Sequence, residues 1–333
     1  MYVCITKHQY IKNHQIANCI LGCLPLYLQQ LIRKRPTFPS QVQVWLLVAA
    51  LSLLWGSSFL VLKRVLYVYS PVQVFAGRML FAGLLLVPLS LRSLRRIPAD
   101  KWPPLLAIAI IANFATTLLN ALAQVSLDSA LAGMFSSLTP LMTLFVGGLF
   151  FGTLIRRQQA LGIILGLVAT VVLVFSSHNG QLGAVDFSAF FVIGATICHA
   201  FTNHIIRFNL SGLSYLQVAA ASFLLIAPLA LLAGWQSGLF HLVFFQPEAQ
   251  RATLYLAFLG IGSNALALLM VARIIQLSSP LTASLVNYGI PIVALGWGLF
   301  DGESITWIQV SMASLIIGCI WFLNRKHDDD HAS

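Results

Sequence analysis

Residues 71–91 read PVQVFAGRMLFAGLLLVPLSL, an apolar run with one charge, Arg78, entered from Ser70 and left at Arg92. A bilayer core takes roughly 20 mainly apolar residues in a helix, and this run has that length. Similar runs, bounded by charges or by Pro/Gly/Ser clusters, lie at 43–63, 103–123, 129–151, 158–176, 187–207, 214–234, 253–275, 280–300 and 306–323. They are continuous, whereas a barrel strand would alternate over segments of about ten residues. The expectation is an all-α, polytopic membrane protein with ten transmembrane helices.

Composition agrees. Of 333 residues, 59% are hydrophobic and 8% charged, against about 45–50% and about 25% in soluble domains. The mean hydropathy is +0.87. That leaves too little polar surface for a soluble enzyme and too much apolar surface for a disordered chain. The formal charge of +10 does not mark a nucleic-acid binder, because the charges sit in short loops and tails. With the amino terminus on side one, that side holds fifteen basic residues: Lys7, Lys12, Arg33, Lys34, Arg35, Arg92, Arg95, Arg96, Lys101, Arg156, Arg157, Arg207, Arg273, Arg325 and Lys326. Side two holds Lys63, Arg64 and Arg251, together with Asp128, Asp186, Glu248, Asp301 and Glu303. The positive-inside rule makes side one cytoplasmic, with both termini inside the cell membrane.

Residues 1–41 read as an amino-terminal tail. Ile16 to Ile32 is apolar enough for a short membrane-associated segment, but Asn18, Pro25, Gln29 and Gln30 interrupt it. Residues 324–333 read as a cytoplasmic tail. Cys4, Cys19, Cys23, Cys198 and Cys319 form no CxxC pair and no cluster with histidine, so they read as packing residues, with neither metal nor cofactor implied.

The chain contains itself twice. Pro71-Val72-Gln73-Val74 is echoed by Tyr215-Leu216-Gln217-Val218, and Lys63 by Arg207 at the same offset. Leu127-Asp128-Ser129-Ala130-Leu131 is echoed by Leu277-Ser278-Ser279-Pro280-Leu281, Pro140 by Pro291, and Leu149-Phe150-Phe151-Gly152 by Leu299-Phe300-Asp301-Gly302. The repeats are expected at 42–176 and 186–323, five spans each. An odd number of spans makes the second repeat enter the membrane upside down, and such inverted repeats underlie alternating access.

Trp55-Gly56-Ser57-Ser58-Phe59, Lys63, Pro71 and Arg78 resemble the opening of an EamA-type repeat of the drug/metabolite transporter superfamily. Ser136-Ser137-Leu138-Thr139-Pro140 and Leu149-Phe150-Phe151-Gly152 resemble its end, and Asn287-Tyr288-Gly289-Ile290-Pro291 with Gly302-Glu303 its second copy. The resemblance covers roughly 42–323 and implies a ten-helix transporter of small metabolites or amino acids, often an exporter. Thr153 stands where the family usually has an acidic residue, and His199 stands opposite Trp55.

A charge at the bilayer centre costs at least about 2.5–3.5 kcal/mol, so each polar group in a span needs a reason. Arg78 either attracts a substrate carboxylate or satisfies backbone carbonyls and snorkels to the interface. His199 and Asn203, one turn apart, present either a proton carrier or a hydrogen bond to a neighbouring helix. None of the nine acidic residues lies near mid-membrane, so a carboxylate proton relay is not expected. Asn113, Thr116, Asn120 and Gln124 form a polar stripe that either lines a wet cavity or joins helices. Ser136, Asn264, Asn287 and Tyr288 add polar groups in other spans, and Trp55 and Tyr288 offer rings for stacking on a substrate. Gly147-Gly148, Gly162 and Gly166 allow close helix approach, within a protomer or across a homodimer.

The rival classes are an intramembrane enzyme and a non-transporting scaffold. No catalytic dyad, Walker motif or set of acidic metal ligands stands in the chain, and a scaffold does not explain the duplication. A secondary transporter for a small molecule, not an enzyme, is the expected function.

Overall fold

The computed structural model of the protein describes residues 40–153, 155, 157–176, 187–278, 282 and 285–329, and among them every regular element is a helix. In chain order these are α1 (Ser40–Leu66), α2 (Pro71–Leu94), α3 (Ala99–Ala123), α4 (Ser129–Ser136), α5 (Thr139–Phe150) and α6 (Arg157–Ser176). There follow α7 (Ser188–Asn209), α8 (Tyr215–Gln236), the short α9 (Leu239–Phe245), α10 (250–277), α11 (Val286–Phe300) and α12 (Trp307–Asp329). The chain divides into two units, Met1–Trp45 and Leu46–Ser333. The described part of the first is the opening of α1, and all other elements belong to the second. The expectations for residues 16–32, Cys4, Cys19, Cys23, Arg156, Asp186, Pro280, Leu281 and the last four residues fall outside the described residues. So do the side chains of Arg157, Cys319, Arg325 and Lys326.

Among the described residues six helices are long and apolar enough to cross a membrane: Gln41–Leu66, Pro71–Leu94, Ala99–Ala123, Ser188–Asn209, Tyr215–Gln236 and Pro247–Val271. The run expected as one span at 129–151 is two helices, α4 and α5, bent by 41°. Local chemistry explains the break. The Ser136 hydroxyl donates to Gly133 O at 2.6 Å and Thr139 Oγ1 to Ser136 O at 2.8 Å, while Pro140 has no N–H to continue the ladder. Ala160–Ala169, Val286–Phe300 and Trp307–Gly318 are shorter apolar helices. Large apolar side chains stand outward along the bundle, among them Leu84, Trp235, Phe300 and Trp307, as a surface solvated by lipid requires.

The starts of α2 and α8 are built alike. Ser70 caps α2 and Ser214 caps α8, each in a reciprocal capping box with Gln73 or Gln217, so two orphan backbone donors are satisfied at each start. Each glutamine then reaches the far end of the other helix. Gln73 Nε2 donates to Ser237 O at 2.7 Å, and Gln217 Nε2 donates to Ser93 O at 3.1 Å. The two helices therefore run antiparallel. They pack along a seam with small buried residues on both helices, Ala76 and Ala82 on α2 and Ala219, Ala220, Ala221 and Ala230 on α8.

Other contacts pair α4 with α11, α6 with α12, α3 with α7, α5 with α7 and α2 with α10. Two helices carry a π-helical turn, α3 at Ala109–Ala115 and α10 at Phe258–Leu266. A wide turn leaves backbone carbonyls free and shifts the face that each side chain occupies, and such turns gather at functional sites. At Gly260, in the second of them, a Cβ would lie 2.6 Å from Phe81 Cβ and 2.9 Å from Arg78 O. Only glycine allows α10 to approach α2 that closely.

Candidate functional site

The close approach at Gly260 sets Asn264, one turn later, against Arg78 of α2. Arg78 Nη2 donates to Asn264 Oδ1 at 2.7 Å. The Arg78 Nε is buried and has no hydrogen-bond partner, and among the described residues no carboxylate pairs with the guanidinium. On the other side of α10, Trp55 Nε1 donates to Ser263 O at 2.9 Å, a carbonyl in the wide turn, while the Ser263 hydroxyl is buried and unpartnered. The wide turn of α10 thus meets Trp55 of α1 through Ser263 O and Arg78 of α2 through Asn264. His199 of α7 is exposed.

The same arrangement recurs around the other wide turn. Asn113 Nδ2 donates to Ser222 Oγ at 3.0 Å, joining α3 to α8. Ser222 follows Arg78 by 144 residues, the offset from Gln73 to Gln217, and Asn264 follows Asn113 by 151. An asparagine on a wide turn therefore meets the capping-box helix twice, with arginine opposite it once and serine opposite it once.

The other expected site residues lie apart from this pair of contacts. Asn120 Nδ2 returns to Thr116 O at 3.0 Å, and the Thr116 hydroxyl to Ile111 O, so the polar stripe is partly consumed by its own helix. Gln124 is buried with neither amide atom partnered. Ser136 serves the α4–α5 bend. Asn203 is exposed, with Nδ2 3.4 Å from Thr143 Oγ1. Asn287 and Tyr288 are half-buried on α11, where Tyr288 packs against the cluster formed by α4, α5 and α7. His204 is a packing histidine. Its ring stacks on Phe151 at 4.6 Å, Nε2 lies 2.9 Å from Thr143 O, and it fills the space over Gly147. Gly166 receives Leu141, so Gly147 and Gly166 both serve contacts within one chain.

A second cluster lies where α1, α4 and the α11–α12 connection meet. Lys63 Nζ donates to Asp128 Oδ1 and Glu303 Oε1, each at 2.9 Å, and Arg64 pairs with Asp301. Glu303 Oε1 also accepts from Ser129 N at 2.9 Å and Ser129 Oγ at 2.7 Å, and Oε2 accepts from Ala130 N at 2.9 Å. One carboxylate thus caps the start of α4 and neutralises Lys63. Burial alone would push the Glu303 carboxyl up. The Ala130 N–H, the Lys63 ammonium and the Ser129 donors outweigh it and hold Glu303 below the usual carboxylate range.

Sequence reasoning did not single out Ser222, Ser263 or the Glu303 cluster as site residues. The signal for Ser222 was present, because the offset that relates the two capping glutamines also relates it to Arg78. Among the described residues no three His, Cys, Asp or Glu side chains are grouped to hold a metal ion.

Comparison with known proteins bears on these clusters. The model of the EamA-like transporter family matches residues 42–175 and again 186–325. The uncharacterized transporter YvbV of Bacillus subtilis (strain 168) is 23% identical over 84% of this chain and 91% of its own length. The uncharacterized inner membrane transporter YedA of Escherichia coli (strain K12) is 25% identical over 80% and 86%. The S-adenosylmethionine/S-adenosylhomocysteine transporter of Chlamydia trachomatis serovar D is 23% identical over 80% and 84%. A crystal structure of another protein shares the fold with a TM-score of 0.57, at 19% identity, over 86% of this chain and 98% of that one. With the family model matched twice and covering most of its length, this multi-pass membrane protein belongs to the EamA-like transporter family.

Proposed function

We propose that the chain is a secondary transporter that moves a small metabolite or amino-acid-like solute across the cell membrane by alternating access, in the direction of export. Ten spans form two inverted five-helix repeats, 42–176 and 186–323, with both termini in the cytoplasm. The observation that carries this reading is the reciprocal contact of α2 with α8. Helices that begin with the same capping box lie antiparallel, each glutamine holding the other helix's end. Inverted repeats place a pseudo-two-fold axis in the membrane plane, with the solute site at the repeat interface near mid-membrane. The Arg78–Asn264 and Ser222–Asn113 contacts, which join matched positions of the two repeats, support this reading. The Lys63–Asp128–Glu303 cluster then acts as a latch that holds the side-two face closed.

The test is solute counterflow in vesicles reconstituted with the full chain, over a panel of amino acids and small metabolites, with and without an imposed pH gradient. The expected result is saturable flux above that of protein-free vesicles for at least one solute. A folded, correctly inserted protein that moves none of them overturns the reading. Tags mapped to the two repeats should report opposite orientations, and equal orientations would remove alternating access by this route. If His199 carries the coupling proton, His199→Gln abolishes the pH-gradient dependence of flux while solute exchange persists.

A further inference from the structure

We infer that Arg78 is the seat for an oxyanion of the transported solute, a carboxylate or a phosphate-type group, held where α2 meets α10. The inference deepens the proposed transport function and rests on it.

The guanidinium carries five N–H donors in a planar fork and no acceptor. Asn264 Oδ1 takes one of them, and the Nε–H is closed off from solvent with nothing to receive it. An amide oxygen is neutral and does not compensate a full positive charge in an apolar helix. A structural arginine would find a carboxylate or a set of backbone carbonyls. Among the described residues Arg78 forms no ion pair, and Asn264 is its hydrogen-bond partner. A snorkelling arginine would carry its head to the interface, whereas this one is held inward by a residue of the α10 wide turn.

The second copy of the repeat shows that packing does not need the cation. At the equivalent position Ser222 meets Asn113 at 3.0 Å, and a hydroxyl closes the contact. The charge on the Arg78 side therefore serves something other than the fold.

The surrounding groups agree on the sign of the ligand. With its oxygen committed to Arg78, Asn264 keeps its amide N–H groups as further donors. A site of donors around a permanent cation selects a ligand that offers acceptors and negative charge, and the arginine fork matches the two oxygens of a carboxylate or phosphate.

The test uses the full chain reconstituted in phosphatidylcholine vesicles, with benzoate, inorganic phosphate and the neutral isostere benzamide as probes and the thermal unfolding midpoint as readout. Benzoate or phosphate is expected to raise the midpoint of the wild-type protein and benzamide to leave it unchanged. Arg78→Gln should weaken the apparent oxyanion affinity roughly tenfold to hundredfold. Arg78→Lys, which keeps the charge and loses the fork, should fall between. Asn264→Ala supplies a second variant if Arg78→Gln does not fold, and it should weaken oxyanion binding as well. An oxyanion effect of full size in Arg78→Gln, or none in the wild type, overturns the inference. A parallel arm adds phosphatidylglycerol. If that lipid stabilises the wild type over Arg78→Gln while benzoate and phosphate do nothing, the occupant is a lipid headgroup and the solute assignment falls. Counterflow separates the two readings: flux of neutral solutes untouched by Arg78→Gln sinks the oxyanion seat and keeps the transporter. Oxyanion binding without any flux does the reverse.

Discussion

The two copies of the repeat end α5 and α11 with a left-handed glycine at the same place but with different chemistry around it. Gly152 and Gly302 both take left-handed conformations, with φ of 63° and 79°. The residue after each folds back to its helix, Thr153 N to Gly147 O at 3.0 Å and Glu303 N to Gly298 O at 2.9 Å. In the second copy that residue is an acid that gathers Lys63, Ser129 and Ala130. In the first it is an exposed threonine. The counterpart of Lys63 is Arg207, which is exposed, sits over the Phe208 ring at 5.8 Å and makes no ion pair among the described residues. The counterpart of Asp128 is Ser278, whose hydroxyl meets Thr282. The second copy thus carries a charged cluster at this turn and the first a neutral one.

The largest expected break in that comparison is Glu303→Ala. It leaves the Lys63 ammonium with one carboxylate and strips the start of α4 of its cap, a loss of about 3 kcal/mol. Thr153→Ala at the equivalent turn should cost almost nothing. Unfolding in mixed detergent micelles measures both, and equal losses would show that the latch contributes nothing beyond the turn.

Gly260→Ala comes next. Its new methyl group meets Phe81 and the Arg78 carbonyl, so α2 must move away, at about 1–3 kcal/mol. At the equivalent position of the first copy the chain already carries Ala109, fully buried. A neutral Gly260→Ala would mean that the two wide turns are not packed differently.

Thr153→Glu combined with Ser278→Asp builds a second latch opposite Arg207. The stacked Phe151 and Phe208 rings, 5.6 Å apart, put the two segments side by side. Stability should rise by less than about 1 kcal/mol, because the pair is exposed. Solute flux should slow, because both faces are then held. Unchanged flux would separate the Lys63 cluster from gating.

The smallest effect is on pH. The Glu303 carboxyl lies below its ordinary value in the folded protein, so the unfolded chain binds that proton first. Its stabilisation is complete above the ordinary carboxylate value of about 4.5 and is lost as pH falls through the lowered folded value. Unfolding midpoints of wild type and Glu303→Gln should differ by a constant amount near neutral pH and converge in acid. A gap that stays constant below pH 4 would contradict the assignment.

Much of this was legible along the chain. The apolar runs at 71–91, 187–207 and 214–234 correspond to α2, α7 and α8 within a few residues, because a bilayer selects for length and hydrophobicity over about 20 consecutive positions. The run at 129–151 looked continuous because hydropathy does not register hydroxyl back-bonding or the missing Pro140 N–H. Arg78 and Asn264 both stand out in the sequence as polar groups in apolar spans, but nothing in their spacing says that they meet. The stripe from Asn113 to Gln124 assumed one helical period, and the wide turn at Ala109–Ala115 changes that period partway along.

By itself the amino-acid sequence determined an all-helical membrane protein, its internal duplication and its family, because these are written in local hydrophobicity and in residue order. Tertiary structure alone decided which polar groups find partners: Arg78 with Asn264, Ser222 with Asn113, and Lys63 with Glu303. The partners lie more than a hundred residues apart, and their meeting depends on helix crossings, on a glycine at the contact and on where a π turn rotates a side chain. No window along the chain contains those three conditions at once.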